Sequence, residues 1–215
     1  MKGVILVYDA LSASENGAQS AIKGPIATKP LAAEGKRVIL DIDRTLVHSV
    51  EKYILKMEGK EEEWKDKFKW FDIDTHITFL RPNVWEFIDF LFTEGFEVGI
   101  FTAASDDYAK QIVDTLFVGR DLKFVLSNNH YEEAFYKYRK DKPIEYVVEK
   151  YGGEYIIIDD SASVKRYNGD KCYKIKPFCI CYDDTFAFRE ESLTDDELVK
   201  CMEYLKKINR YNKDE

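Results

Sequence analysis

The sequence predicts an α/β fold in which a mostly parallel sheet carries helices on both faces, with a small β-flap and no large cap domain. Apolar runs of strand length at 38–40, 96–101, 124–126 and 155–158 alternate with stretches of helical apolar spacing, the pattern of successive β-α units. Three of these runs end in acidic or hydroxyl residues: Asp41 and Asp43, then Thr102, then Asp159 with Asp160. In an open parallel sheet, ligands gather at the carboxyl ends of the strands, so these residues are expected to converge.

The first 36 residues are rich in Ala, Ser and Gly and contain Pro25 and Pro30, a composition that favours a loosely held arm with one strand candidate at 3–8. The main domain is expected over 37–209, followed by a tail at 210–215. Residues 46–80 read as a flap, in which 71–80 alternates like one arm of a hairpin and the charged stretch 51–69 is a solvated face. Pro82 marks the start of a helix, because Val84, Phe87, Ile88, Leu91 and Phe92 recur at helical spacing up to Gly95.

The strand at 96–101 runs into Ser105, the expected N-cap of a helix bearing Tyr108, Ile112, Val113 and Leu116. Residues 119–139 read as a small insert, where Tyr131, Phe135, Tyr136 and Tyr138 either line a substrate-side pocket or form the core of a small sheet. Pro143 opens a helix over 144–151, closed by Gly152 and Gly153, and the strand at 155–158 follows. Short strands are expected near Tyr173 and Cys179. Thr194 and Glu197 make a capping-box pattern before a helix whose apolar stripe is Leu198, Cys201, Met202, Leu205 and Ile208. Asp106-Asp107 and Asp195-Asp196 read as first-turn helix acids favoured by the macrodipole.

Composition narrows the function classes. The 215 residues are 45% hydrophobic and 14% aromatic, enough for a substantial core. The longest apolar runs, such as 4–8 and 155–158, are strand-sized, so no membrane partner is expected, and Asp9 interrupts the N-terminal run before a secretory signal could form. A formal net charge of -8 argues against a general nucleic-acid binder. Cys172, Cys179, Cys181 and Cys201 lack the paired spacing of a zinc site and read as reduced, buried thiols of an intracellular protein, cytoplasmic or nuclear.

The densest chemical signal is Asp41-Ile-Asp-Arg-Thr-Leu-Val-His-Ser49. The period of two in extended chain points Asp41 and Asp43 the same way as they leave the strand. Adjacent carboxylates repel, and the pair makes sense where a divalent cation offsets the repulsion and one carboxylate is left to attack an electrophile. Asp72 and Asp74 repeat the spacing but lie in an alternating polar segment with His76 in place of a Thr, the pattern of a solvated hairpin face. His48 reads as a packing or supporting residue rather than as a general base.

Together with Phe79-Leu-Arg-Pro82, Phe101-Thr-Ala-Ala-Ser105, Lys140-Asp141, Ile158-Asp-Asp-Ser161 and Ile175-Lys-Pro-Phe178, this stretch resembles the haloacid dehalogenase superfamily. Within it, the chain looks like the phosphatases of the RNA polymerase II C-terminal domain, the small CTD phosphatase or NLI-interacting-factor-like family, across residues 36–209. The resemblance implies a Rossmann-like sheet and an Mg2+-dependent phosphatase. Asp41 would attack phosphorus to form an aspartyl-phosphate, and Asp43 would protonate the leaving oxygen and later deprotonate water. Mg2+ would be held by Asp41, the backbone carbonyl of Asp43 and Asp160, with Asp159 ordering metal-bound water. Thr102 would donate a hydrogen bond to the phosphoryl group.

A lysine would neutralise charge shared by nucleophile and phosphoryl oxygens, a contribution of roughly 3–4 kcal/mol. Tyr138-Arg-Lys-Asp141 resembles the family's Tyr-x-Lys-Asp stretch and points to Lys140, whereas Lys142, followed by Pro143, fits the broader superfamily pattern. The departures are Arg44, where the family usually has Glu, and the lack of a clear counterpart among Ser127, Asn128 and Asn129 for a phosphate-holding Arg. Because neither 46–80 nor 119–139 is long enough for a separate cap of ~50 residues or more, the site should be open. An open site suits phosphoserine or phosphothreonine in a phosphoprotein or phosphopeptide. The other readings are a nucleic-acid end or small-molecule phosphatase, and a catalytically silent protein-binding scaffold.

Overall fold

The computed structural model describes residues 36–182 and 186–211. The arm expected over 1–36 lies outside the described residues except for Lys36, as does most of the tail.

Two sheets organise the chain. The larger has five parallel strands in the order β6-β5-β1-β7-β8, where β1 is Arg37–Leu40, β5 Glu97–Phe101, β6 Val125–Leu126, β7 Ile156–Asp159 and β8 Cys172–Lys174. The smaller is antiparallel, in the order β2-β4-β3, where β2 is Val47–Glu51, β3 Trp70–Ile73 and β4 His76–Leu80. The chain leaves β1 towards β5 and β6 on one side, then returns to place β7 and β8 on the other. This reversal at β1 makes the crevice in which open α/β sheets bind ligands.

Alternation along β1 supplies both faces of the core. Val38 and Leu40 join Val98 and Ile100 beneath α3 (Val84–Thr93), α4 (Asp106–Leu116) and α8 (Glu197–Tyr211), whose Phe87, Leu91, Ile112, Leu198 and Leu205 are buried there. Ile39, Phe101 and Ile157 face the other way, against α5 (Asn128–Tyr138), α6 (Ile144–Tyr151) and α7 (Ala162–Asn168). Ser105 caps α4 as expected, its Oγ accepting from the Tyr108 amide at 3.4 Å.

The helical and sheet readings fail in four places, each for a physical reason. Residues 51–69 are not simply a solvated face: they form α1 (Lys52–Met57) and α2 (Glu61–Lys67), and Leu55, Trp64 and Phe68 are buried with Phe79 and Phe178 in a separate core under the flap. Tyr131, Phe135, Tyr136 and Tyr138, read as pocket lining or as the core of a small sheet, lie on the helix α5, which rules out the sheet, and Phe135 and Tyr136 are exposed. Around Cys179 the chain is irregular, with one bridge from Cys181 to Phe188; all four cysteines are buried thiols. The Thr194–Glu197 capping box does not form, because Thr194 ends a 3-10 turn and donates to the Glu191 carbonyl, while Asp195 accepts from the Glu197 amide.

Asp195 is also more than a helix-dipole acid. It makes a two-pronged ion pair with Arg81, whose Nε and Nη2 lie 2.7 and 2.9 Å from its two oxygens. Arg81 is fully buried and also donates to the carbonyls of Thr45 at 2.9 Å and Lys176 at 2.7 Å. One side chain thus ties the segment after β1 to the start of α8. Among the described residues no helix is long and apolar enough to cross a membrane.

Candidate active site

Strand register brings the sequence-predicted residues level. Leu40 lies opposite Ile100 of β5 and Ile158 of β7, so Asp41, Thr102 and the pair Asp159 and Asp160 leave the sheet at the same edge. Backbone bonds continue the pinning, from the Asp41 amide to the Ile158 carbonyl at 3.0 Å and from the Thr102 amide to the Leu126 carbonyl at 2.9 Å. After Asp41 the chain turns tightly. Arg44 adopts φ 60°, and its amide donates to the Val47 carbonyl at 2.7 Å, which carries Asp43 away from the line of the strand.

Asp41, Asp159 and Asp160 gather so closely that one oxygen of each lies within 4.8 Å of the others. Asp41 and Asp159 are buried and Asp160 half-buried. The Lys142 ammonium stands between the first two, 2.6 Å from Asp41 and 2.8 Å from Asp159. Asp159 also accepts from the Ser161 amide at 2.8 Å, which fixes its carboxylate with both oxygens engaged. Thr45, fully buried, donates to the second oxygen of Asp41 at 3.4 Å. Thr102 Oγ1 accepts from the Ala104 amide at 3.1 Å, leaving its own proton for another acceptor.

The expected Lys140 is not at the cluster. Its ammonium pairs with Glu145 at 2.9 Å on the surface, while Lys142 is the buried lysine. Lys142 reaches inward by adopting φ 39°, and Asn168 clamps this bend by donating to the Lys142 carbonyl at 3.1 Å and accepting from the Ile144 amide at 3.0 Å. Asp43 lies beside this cluster rather than in it, and its carboxylate accepts from the Tyr108 hydroxyl at 2.6 Å. His48 is buried and accepts from the Ile180 amide at 3.2 Å, a packing arrangement. Asp72 and Asp74 are exposed on the β3–β4 hairpin, Asp72 paired to Lys52 and Asp74 on the wall of a cleft that Asp43 also lines.

Charge does not balance in the cluster. Burial pushes the Asp41 carboxyl up to about 8, with Lys142 pulling it down and Asp159 pushing it further up. Burial likewise raises Asp160, reinforced by Asp159, and raises Asp43 against the opposing hydrogen bond from Tyr108. At Lys142 burial works against the charge, but Asp41 and Asp159 outweigh it and keep the ammonium protonated. One cation therefore serves two buried carboxylates with a third beside them. An all-oxygen donor set with excess negative charge fits a hard divalent cation, which replaces the missing charge.

Sequence reasoning missed Thr45 and Tyr108 as neighbours of Asp41 and Asp43. Thr45 could have been found from its place in the aspartate motif. Tyr108 carried no such signal, because an aromatic at that helical spacing also reads as core.

An open parallel sheet with an aspartate cluster at its strand ends is the haloacid dehalogenase class of fold. The chain belongs to the NLI interacting factor-like phosphatase family, whose pattern matches residues 36–214. The "Putative CTD phosphatase-like protein 355R" of Invertebrate iridescent virus 6 is 27% identical over 184 residues, covering 79% of this chain and 97% of that protein. Its namesake in Invertebrate iridescent virus 3 is 25% identical over 185 residues, covering 79% and 95%. A fission yeast RNA polymerase II CTD phosphatase Fcp1 variant bound to beryllium fluoride matches with a TM-score of 0.54 at 17% identity, over 82% of this chain and 55% of that one. This chain thus spans about half the length of that Fcp1 structure, and the likeness is one of fold.

Proposed function

We propose that the protein is an Mg2+-dependent phosphatase that works through an aspartyl-phosphate on Asp41 and acts on phosphoserine or phosphothreonine in proteins. The observation that carries this reading is the gathering of Asp41, Asp159 and Asp160 around one buried lysine, with Asp43 two residues beyond the nucleophile. Asp41 and Asp160 would hold Mg2+ with the Asp43 carbonyl, and Asp159 would order its water. The ion supplies positive charge against the phosphoryl oxygens and lowers repulsion between phosphate and nucleophile.

The chain's own groups account for both steps. An Asp41 oxygen attacks phosphorus as the ester P–O bond breaks, and the Asp43 proton passes to the departing oxygen. Lys142 and the Thr102 hydroxyl face the charge that develops on the phosphoryl oxygens. Asp43, now ionised, takes a proton from water as it attacks phosphorus. The acyl-phosphate P–O bond breaks, and Asp41 and inorganic phosphate are released.

Substrate size follows from what surrounds the cluster. Between β1 and β5 the additions are a three-stranded sheet and two short helices, and between β6 and β7 they are α5 and α6, none of them a cap domain. An uncovered site admits a phosphate displayed on a polypeptide, and the names of the viral relatives point the same way. The test is Mg2+-dependent phosphate release from polymerase-tail phosphopeptides, unrelated phosphopeptides, nucleotides and sugar phosphates, with Asp41→Asn as control. Preferential turnover of phosphopeptides is expected. Efficient cleavage of only the small phosphates would overturn the substrate class, and activity surviving in Asp41→Asn would overturn the mechanism.

A further inference from the structure

Tyr108 lies in the first turn of α4, and its hydroxyl is the donor that holds Asp43 Oδ1 at 2.6 Å. Behind it stands a chain of hydroxyls from the flap. Ser49 Oγ of β2 is 2.5 Å from the Tyr108 oxygen, and Thr78 Oγ1 of β4, directly opposite Ser49 in the sheet register, is 2.8 Å from Ser49 Oγ.

The direction of this chain follows from proton counting. An ionised carboxylate only accepts, so the Tyr108 proton goes to Asp43; Ser49 then donates to the Tyr108 oxygen, and Thr78 donates to Ser49. Each bond polarises the next towards Asp43. With one carboxyl oxygen occupied by Tyr108, the other is left to carry the proton that the leaving group needs. A carboxyl without that anchor could turn and present either oxygen, and misplacement of a reacting group by about 1 Å can cost on the order of 100-fold in rate. Asp43, Ser49 and Tyr108 also line one cleft of about 500 Å³ together with Thr75, His76 and Gln111, so the chain borders open space where a substrate can lie.

We propose that Tyr108 is a positioning residue for Asp43, fixing which carboxyl oxygen bears the transferable proton and tying that orientation to the flap through Ser49 and Thr78. The inference rests on the reading of Asp43 as acid and base.

Tyr108→Phe removes the hydroxyl and keeps the ring. The readout is kcat/KM across aryl phosphates whose leaving groups range from dinitrophenol, which departs without a proton, to phenol, which requires one. The expected result is a loss of about 10- to 100-fold for phenyl phosphate, smaller than full loss of a general acid, and of less than about 3-fold for the dinitrophenyl ester, with KM little changed. Ser49→Ala should steepen the leaving-group dependence in the same sense by a smaller amount, and it supplies the readout should Tyr108→Phe fail to fold. An equal loss for every leaving group, or no loss, overturns the inference while wild-type activity leaves the phosphatase reading standing. Absence of Mg2+-dependent turnover in the wild type ends both.

Discussion

The Lys142 ammonium sits 2.6 Å from Asp41, whereas Lys140, two residues earlier, pairs with Glu145 on the surface. In the proposed mechanism, a lysine in contact with the Asp41 carboxylate acts where charge develops, and one on the surface does not. Lys142→Ala should lower kcat/KM by about 100-fold or more, and Lys140→Ala should leave it within about two-fold, since exposed ion pairs contribute little. Steady-state turnover of an aryl phosphate by both variants checks the assignment. Equal losses would count against it.

What was legible in the sequence depended on how local the signal was. The parallel strands and their acidic ends could be read because strand length, alternation and the residues that follow each strand are local properties. The choice between Lys140 and Lys142 could not, because it turns on a positive φ at Lys142, just before Pro143, a position where sequence alone favours extended backbone. Asp195 was misread for a related reason. Its partner Arg81 is distant in sequence, and a first-turn helix acid looks the same from sequence whether or not a buried arginine awaits it. Trp64 was hidden in a run of charges that gave no sign of a core beneath the flap.

The carboxylate cluster predicts a metal-linked stability. If Mg2+ binds only the folded chain, a concentration about 100 times its Kd stabilises by about 2.7 kcal/mol, and melting should shift upward by several degrees relative to the protein in chelator. Asp160→Asn removes one charged oxygen donor at the half-buried edge of the cluster. It should weaken Mg2+ binding at least about 10-fold, read as the Mg2+ concentration giving half the thermal shift.

The pH dependence of stability without metal has a definite sign. Folding holds a proton on Asp41 up to about 8, well above the ordinary 3.8, and burial raises Asp43 and Asp160 in the same sense. Between those values the native state binds more protons than the unfolded chain, so stability falls as pH rises. In chelator, melting temperature should decline from about pH 5 to about pH 8, and Mg2+, by displacing the proton, should flatten that slope. A metal-free protein whose stability rises through this range would contradict the charge imbalance described for the cluster.

Gly99 in β5 leaves room for an aromatic ring. A Cβ there would stand 2.3 Å from Phe124, whose ring is stacked on Tyr151 at 4.5 Å and cannot retreat freely. Gly99→Ala should therefore destabilise by about 1–3 kcal/mol. Combining it with Phe124→Leu should cost less than the sum of the two single changes, because the smaller side chain relieves the clash. Urea unfolding of the three variants measures the coupling, and strict additivity would show that the ring moves aside.

Arg81 and Asp195 join the segment after β1 to α8, and their separation gives the largest expected loss of stability. Arg81 is fully exposed to neither water nor alternative partners: it is buried, paired with Asp195 through two nitrogens, and bonded to the Thr45 and Lys176 carbonyls. Removing one member of a buried pair leaves the other charge uncompensated, typically at a cost of about 3–5 kcal/mol. Asp195→Asn, which keeps the shape, should lower the melting temperature by on the order of 10 °C at this chain length. Arg81→Met should cost at least as much, because it also strands the carbonyls it now satisfies. Since the Thr45 carbonyl belongs to the turn that positions Asp41, Arg81→Met should lower kcat even at temperatures where the variant is fully folded. Thermal melts set beside turnover of the folded fraction separate the two effects, and a variant with lowered stability but unchanged kcat would confine Arg81 to holding the fold.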